Sequence, residues 1–255
     1  MGVLDYLIKP IKEYVERKKK EGNEKKKIKL PPQYKSFKEL KKISGELAEF
    51  EKFLQKKGKI GLIIGARGTG KSALGMRIAE NIVAQSGKDI YALGFNKEKL
   101  PKYIRVIDDL EDVENNSFLL VDESGINFSS RSSMSSANKL LSSLLFISRH
   151  KNISILFITQ NSANIEVNTL RQADYLLFKK SSLLQLDFER RKIKEIYEEV
   201  KKGFEKFDKD IGLTYIYSDI YRGFISNSLP DFWSEGLSKS FSDVNYPTLK
   251  CRASS

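Results

Sequence analysis

Eight consecutive residues, Gly65-Ala66-Arg67-Gly68-Thr69-Gly70-Lys71-Ser72, combine three glycines, a lysine and a hydroxyl at a spacing suited to enclosing phosphates. Glycines let successive backbone N–H groups turn inward around anionic oxygens. The pattern G-x-x-x-x-G-K-[ST] is complete, and it follows an apolar run and opens a helix-forming stretch. The partial positive charge of a helix N-terminus therefore falls at the same place. Lys71 is positioned to reach the β- and γ-phosphates of a nucleotide, and the Ser72 hydroxyl to bind Mg²⁺. Arg67, inside the loop, is expected to face solvent.

A second chemistry-bearing element is SFLLVDES, in which Asp122 ends an apolar strand and Glu123 follows it. Asp122 can hold the hydration shell of Mg²⁺, and Glu123 can polarise an attacking water as a general base. The pair implies hydrolysis of the nucleotide as well as binding. Asp108-Asp109 is a rival acidic pair, but it follows a weaker strand and precedes more acids, so it reads as surface. A third element, RHKNISILFITQN (149–161), delivers Thr159, Gln160 and Asn161 to the carboxyl edge of a sheet, where open α/β sheets bind ligands. Gln160 can orient water or sense a γ-phosphate.

These residues need a scaffold of alternating strands and helices. Strands are expected at 59–66, 89–93, 103–107, 117–122, 153–159 and 175–180, with helices from Lys71 to about Gln85 and over 137–150. Fully apolar strands separated by helices indicate a mostly parallel sheet covered on both faces. The fold class is therefore α/β, a P-loop NTPase. Residues 36–56 place Phe37, Leu40, Ile43, Leu47, Phe50 and Leu54 at helical spacings, which predicts a helix before the main domain, with Gly45 as a break. A charged helix is expected at 187–207, followed by a β-hairpin over 213–226 turning near Ser218-Asp219. Beyond it, Phe232 and Trp233 are expected to anchor a docked tail. The organisation expected is an N-terminal basic and helical extension (1–58), a P-loop core (59–185) and a C-terminal helix, hairpin and tail (186–255).

The 255 residues carry 45 Lys+Arg against 33 Asp+Glu, a net charge of +12. Residues 1–58 hold 17 basic and 9 acidic side chains, so +8 of that excess lies in the first quarter of the chain. The densest block, 17–29, is either a solvated linker or an arm that attracts a polyanion such as nucleic acid. One Cys (Cys251) and one His (His150) exclude a disulfide framework, a Cys-based metal cluster and a His-rich metal site. No apolar run is long enough to span a bilayer, and the first residues lack the features of a signal peptide. An intracellular, cytoplasmic protein is the expectation. No N-K-x-D base-reading motif is present, which argues against a guanine-nucleotide switch.

The ordered set GARGTGKS, LLVDES, SRH-x(4)-ILFITQN and NTLRQADYLLF resembles the FtsK/HerA-type P-loop ATPases over residues 59–180. Within that group it is similar to compact viral genome-packaging ATPases and to the ATPase domain of zonula-occludens-toxin-like phage proteins. The resemblance implies a RecA-like fold of the ASCE division, ATP and Mg²⁺ as ligands, a catalytic Glu123 and a sensor Gln160. It implies a homo-oligomeric ring, often a hexamer, that moves double-stranded DNA, in a virus within the host cytoplasm and against a capsid or portal-type docking protein. It also implies an arginine finger, for which Arg149 and Arg171 are the candidates. The loop SSRSSMSS (129–136), with Arg131, either lines a pore or lies on the surface. The chain departs from the larger members in having no helical-bundle insertion, and from the toxin-like proteins in having no transmembrane helix. A plasmid-transfer or DNA-processing pump, and a nucleotide-dependent switch that remodels proteins without gripping DNA, are the rival readings.

Overall fold

The computed structural model describes residues 31–97, 100–126, 133–160, 162, 165 and 167–233, with the side chains of 133–139, 168 and 169 left out. The basic block 17–29, Arg131, Asn161 and Cys251 lie outside the described residues, whereas residues 133–136, expected to end the Ser-rich loop, already belong to the following helix. Among the described residues, nine strands form one sheet in the order β1-β9-β8-β7-β2-β6-β5-β3-β4. Six of them are parallel: β7 (Tyr175–Phe178), β2 (Ile60–Ile64), β6 (Ser154–Thr159), β5 (Phe118–Asp122), β3 (Ile90–Leu93) and β4 (Ile104–Ile107). The other three, β8 (Leu213–Ser218), β9 (Tyr221–Ser226) and β1 (Lys38–Gly45), add an antiparallel flank beside β7. All three segments expected from the sequence thus contribute strands or covering helices to a single sheet.

The parallel strands are apolar on both faces because both faces are covered. Successive residues alternate between two cores. Ile63, Leu120, Leu156 and Leu177 join helices α1 (Leu47–Leu54) and α2 (Lys71–Ser86) on one side. Leu62, Ile64, Leu119 and Val121 meet α3 (Ser133–Lys151) and α6 (Arg191–Lys206) on the other. The expected charged helix over 187–207 is α6, which buries Ile193, Ile196, Tyr197, Val200 and Phe204 as its periodicity predicts. Two short helices, α4 (Val167–Arg171) and α5 (Leu183–Asp187), complete the connections.

The sheet differs from expectation in one place. Residues 38–45 do not continue a helix but form β1, paired antiparallel with β9. Gly45 ends this strand in the left-handed region, at φ +77, and only the second half of the expected helix, α1, is helical. The physical reason is the free edge of β9: pairing its backbone groups outweighs the modest helical preference of a short, highly charged stretch. The hairpin over 213–226 and its turn at Ser218 stand as expected. Phe232 is buried in the core and packs edge-on against Tyr103.

Candidate active site

The glycine-rich loop leaves β2 at Ile64 and ends at Gly70, the N-cap of α2. Gly70 has φ +83, a left-handed conformation that a side chain would strain, and the turn it makes points the first N–H groups of α2 into the loop. The adjoining strand end tethers the loop. The Lys179 N–H donates to the Ile64 carbonyl, and the Ala66 N–H donates to the Lys180 carbonyl. Gly65 is crowded by the same strand end, since a Cβ there would sit 2.6 Å from Lys179 Cβ.

Lys71 is buried, and its Nζ donates to the carbonyls of Gly65 (2.9 Å) and Ala66 (2.8 Å). Burial pulls its pKa down, while Asp122 and Glu123 pull it back up. Its ammonium is thus held inside the loop, short of the full solvation it would have in water. Ser72, one residue on, donates to Asp122 Oδ2 at 2.6 Å. Asp122 is itself buried, and its other oxygen accepts from the N–H and hydroxyl of Ser124.

Strand order explains how these groups meet. β5 and β2 are separated by β6, so Thr159 and Gln160 at the end of β6 emerge between the loop and Asp122-Glu123. Thr159 Oγ1 donates to Glu123 Oε2 at 2.6 Å. Burial raises the Glu123 pKa; the Thr159 hydrogen bond opposes it, Asp122 adds to it and Lys71 opposes it. A half-buried carboxylate held this way is a stronger base than an exposed one, and its aim is set by a neighbouring strand.

A cavity of about 790 Å³ covers the loop. Arg67, Gly68, Thr69, Gly70, Lys71, Ser72, Asp122 and Gln160 line one part of it, so most of the predicted binding residues are brought together. Arg67 and Gln160 are exposed at its rim. Arg149 and Arg171 do not line it. Both are exposed, at the ends of α3 and α4, and Arg149 donates to Gln172 at 2.8 Å. Asp109 caps a single 3₁₀ turn at the surface, as expected of a structural acid.

The cavity also has a wall that sequence reasoning missed: Lys180, Asp208, Asp210, Ile211, Leu213, Leu229 and Trp233. Behind it lies Lys179, almost fully buried, which burial lowers to about 7 while Asp210 opposes the shift. The signal that was available for it is a lysine at the end of an otherwise apolar strand run, YLLFKK.

Strand, glycine loop and helix N-terminus, with an acidic strand end beside them, decide the class. The fold is that of a P-loop NTPase. Among solved structures the chain is similar to B204, the DNA-packaging ATPase of Sulfolobus turreted icosahedral virus, at 14% identity and a TM-score of 0.45, covering 68% of this chain and 99% of that one. It is similar to the pCW3 conjugation coupling protein TcpA, at 14% identity and 0.47, covering 73% of this chain and 65% of that one. It is also similar to the RadB recombinase, at 18% identity and 0.36, covering 50% and 77%. No protein-family model and no curated protein matches the chain.

Proposed function

We propose that the protein is an ATP hydrolase whose turnover drives translocation of double-stranded DNA, as in viral genome packaging. The observation that carries the hydrolase reading is Glu123, placed beside the Ser72–Asp122 pair and held by Thr159. A protein that only bound a nucleotide would have no use for a second, partly buried carboxylate at that point.

The residues fit Mg²⁺. Ser72 Oγ and Asp122 Oδ2 are hard oxygen donors already 2.6 Å apart, and this ion keeps several waters and phosphate oxygens instead of an all-protein cage. When bound, the ion supplies charge neutralisation between the β- and γ-phosphates. Lys71 exchanges its two loop carbonyls for phosphate oxygens, and the N–H groups at the start of α2 hold the same anion. Glu123 takes the proton of the attacking water, and the exposed Gln160 at the end of β6 orients that water.

The DNA reading is supported by the +12 charge, by its concentration before residue 59 and by the motif resemblance over 59–180. A ring is supported by Arg149 and Arg171: exposed and outside their own chain's cavity, either guanidinium is available to a neighbour's nucleotide. A capsid or portal-type protein is the docking partner this reading requires. No helix among the described residues is long and apolar enough to cross a membrane. ATP hydrolysis measured with and without linear double-stranded DNA tests the reading. Stimulation by DNA is expected; equal rates would favour a protein-remodelling switch.

A further inference from the structure

The cavity has more lining than the phosphate loop supplies, and the added wall has a different chemistry. Ile211 is 88% exposed and Leu229 51% exposed, yet both line the cavity beside the loop, with Trp233 completing the wall. Apolar side chains bordering a phosphate site are unexplained by phosphates. They are the surface that a flat aromatic group would cover.

The charged lining is mixed. Arg67, Lys71 and Lys180 share the cavity with Asp208 and Asp210. Asp210 is committed to the loop itself, accepting from the Gly212 N–H (2.8 Å) and Ser226 Oγ (2.6 Å). Asp208 is exposed at the rim. A carboxylate repels a polyphosphate and accepts from hydroxyls, so an exposed Asp208 on this lining suits a sugar and not a phosphate.

This wall is rigidly tied to the phosphate loop. Arg77, fully buried in α2, donates to the carbonyls of Ser228 and Leu229 and pairs with Asp231 at 3.0 Å. Lys179 Nζ donates to the Gly212 carbonyl and to Asn227 Oδ1, both at 3.1 Å. The segments bearing Ile211, Leu229 and Trp233 are thereby held by the helix and the strand end that hold the loop.

We propose that Ile211, Leu229 and Trp233 form the nucleobase subsite of the bound nucleotide, with Asp208 accepting from the ribose. The proposal rests on the nucleotide reading of the P-loop and adds which residues grip the nucleoside. Trp233 is the single tryptophan of the chain, so its fluorescence reports on this wall alone.

The test compares ATP with inorganic tripolyphosphate, each with Mg²⁺, on the full chain, by calorimetry and by Trp233 emission. ATP is expected to perturb the emission and to bind at least about tenfold (~1.4 kcal/mol) more tightly than tripolyphosphate. Because Ile211 and Leu229 are largely exposed, the Ile211→Ala/Leu229→Ala protein should fold. It should lose about tenfold in ATP affinity, again ~1.4 kcal/mol, and nothing for tripolyphosphate. Equal affinities for the two ligands with silent Trp233 emission would overturn the proposal, as would equal losses for both ligands in the double variant. Failure of the P-loop reading looks different: ATP would perturb Trp233 while tripolyphosphate did not bind and Lys71→Ala changed nothing, which would leave the base subsite standing.

Discussion

The parallel strands and the antiparallel flank meet along β7 and are stabilised in different ways. In the parallel half, β2, β5 and β6 are buried along almost their whole length, and their stability comes from two apolar cores and ladder pairing. In the flank, β8 and β9 share those cores, but the outer strand β1 is almost entirely exposed, and the segments before β1 and after β9 are held by polar clamps. The Arg77–Glu80 pair is 2.9 Å long with both side chains fully buried, and it reaches Asp231 and the carbonyls of Gln33, Ser228 and Leu229. The Asn81 side chain bonds the Lys35 backbone in both directions. A buried apolar half provides rigid strand ends on which Lys71, Asp122 and Glu123 can be aimed. The clamped flank and the segment after it supply the other wall of the cavity.

The sharpest break of this contrast is a change that alters chemistry and leaves stability alone. Glu123→Gln should lower ATP turnover by about 10²–10⁴-fold, the usual worth of a general base. Nucleotide affinity and the unfolding midpoint should stay near wild type, since Thr159 can still donate to the amide oxygen. Turnover at the wild-type rate would remove Glu123 from the mechanism. Single-turnover hydrolysis and equilibrium binding check both halves of the statement.

The next effect falls on the flank. Arg77→Ala leaves Glu80 buried without its partner and frees the 228–231 segment. Breaking one side of a buried ion pair costs about 3–5 kcal/mol, far more than an exposed pair such as Arg191–Glu195. Denaturant unfolding of Arg77→Ala and Arg191→Ala measures the difference. Similar small losses would mean that the 228–231 segment is held by apolar packing and not by the clamp.

This contrast also governs what could be read from the sequence. The parallel strands were legible because burial on both faces leaves uninterrupted apolar runs, such as ISILFIT, and because the P-loop and Asp122-Glu123 are local patterns. β1 was not: in KELKKISG the few apolar residues fit a helix as well as a strand, and its pairing with β9 lies about 180 residues away. The far cavity wall was hidden for a related reason. Asp208, Ile211, Leu229 and Trp233 stand more than 130 residues from the loop they face, on segments without periodicity. Only the three-dimensional strand order brings them there.

Lys179 lies on the seam between the two halves, and its ionisation can be used to probe that seam. Burial lowers its pKa to about 7 from an ordinary value of 10.5, with the nearby Asp210 pulling the other way. Between these values the unfolded chain carries more protons than the folded one, so this lysine makes stability rise with pH across that window. Below pH 7 it is charged in both states, and its burial is most costly. Lys179→Met removes that term. The stability of the variant relative to wild type should therefore be higher at pH 6 than at pH 10, by on the order of 3 kcal/mol. Parallel denaturation curves at the two pH values check it. A pH-independent difference would mean that Lys179 is as solvated folded as unfolded.

The smallest expected effect isolates the outer edge of the flank. Gly45 has φ +77, and an added Cβ would lie 1.9 Å from the Ile220 carbonyl oxygen, against which β1 closes. Gly58 has a similar φ of +65 but nothing within 4 Å of an added Cβ. Gly58→Ala should thus cost only the left-handed backbone, about 1 kcal/mol. Gly45→Ala should cost roughly 2 kcal/mol, because the β1–β9 register must shift as well. ATP turnover should be unchanged in both, since β9 and β8 stand between β1 and the parallel strands that carry the proposed catalytic groups. Unfolding midpoints of the two variants decide it. Equal losses would mean that β1 yields freely at its last pair, so that the edge strand covers β9 without bracing the cavity wall behind it.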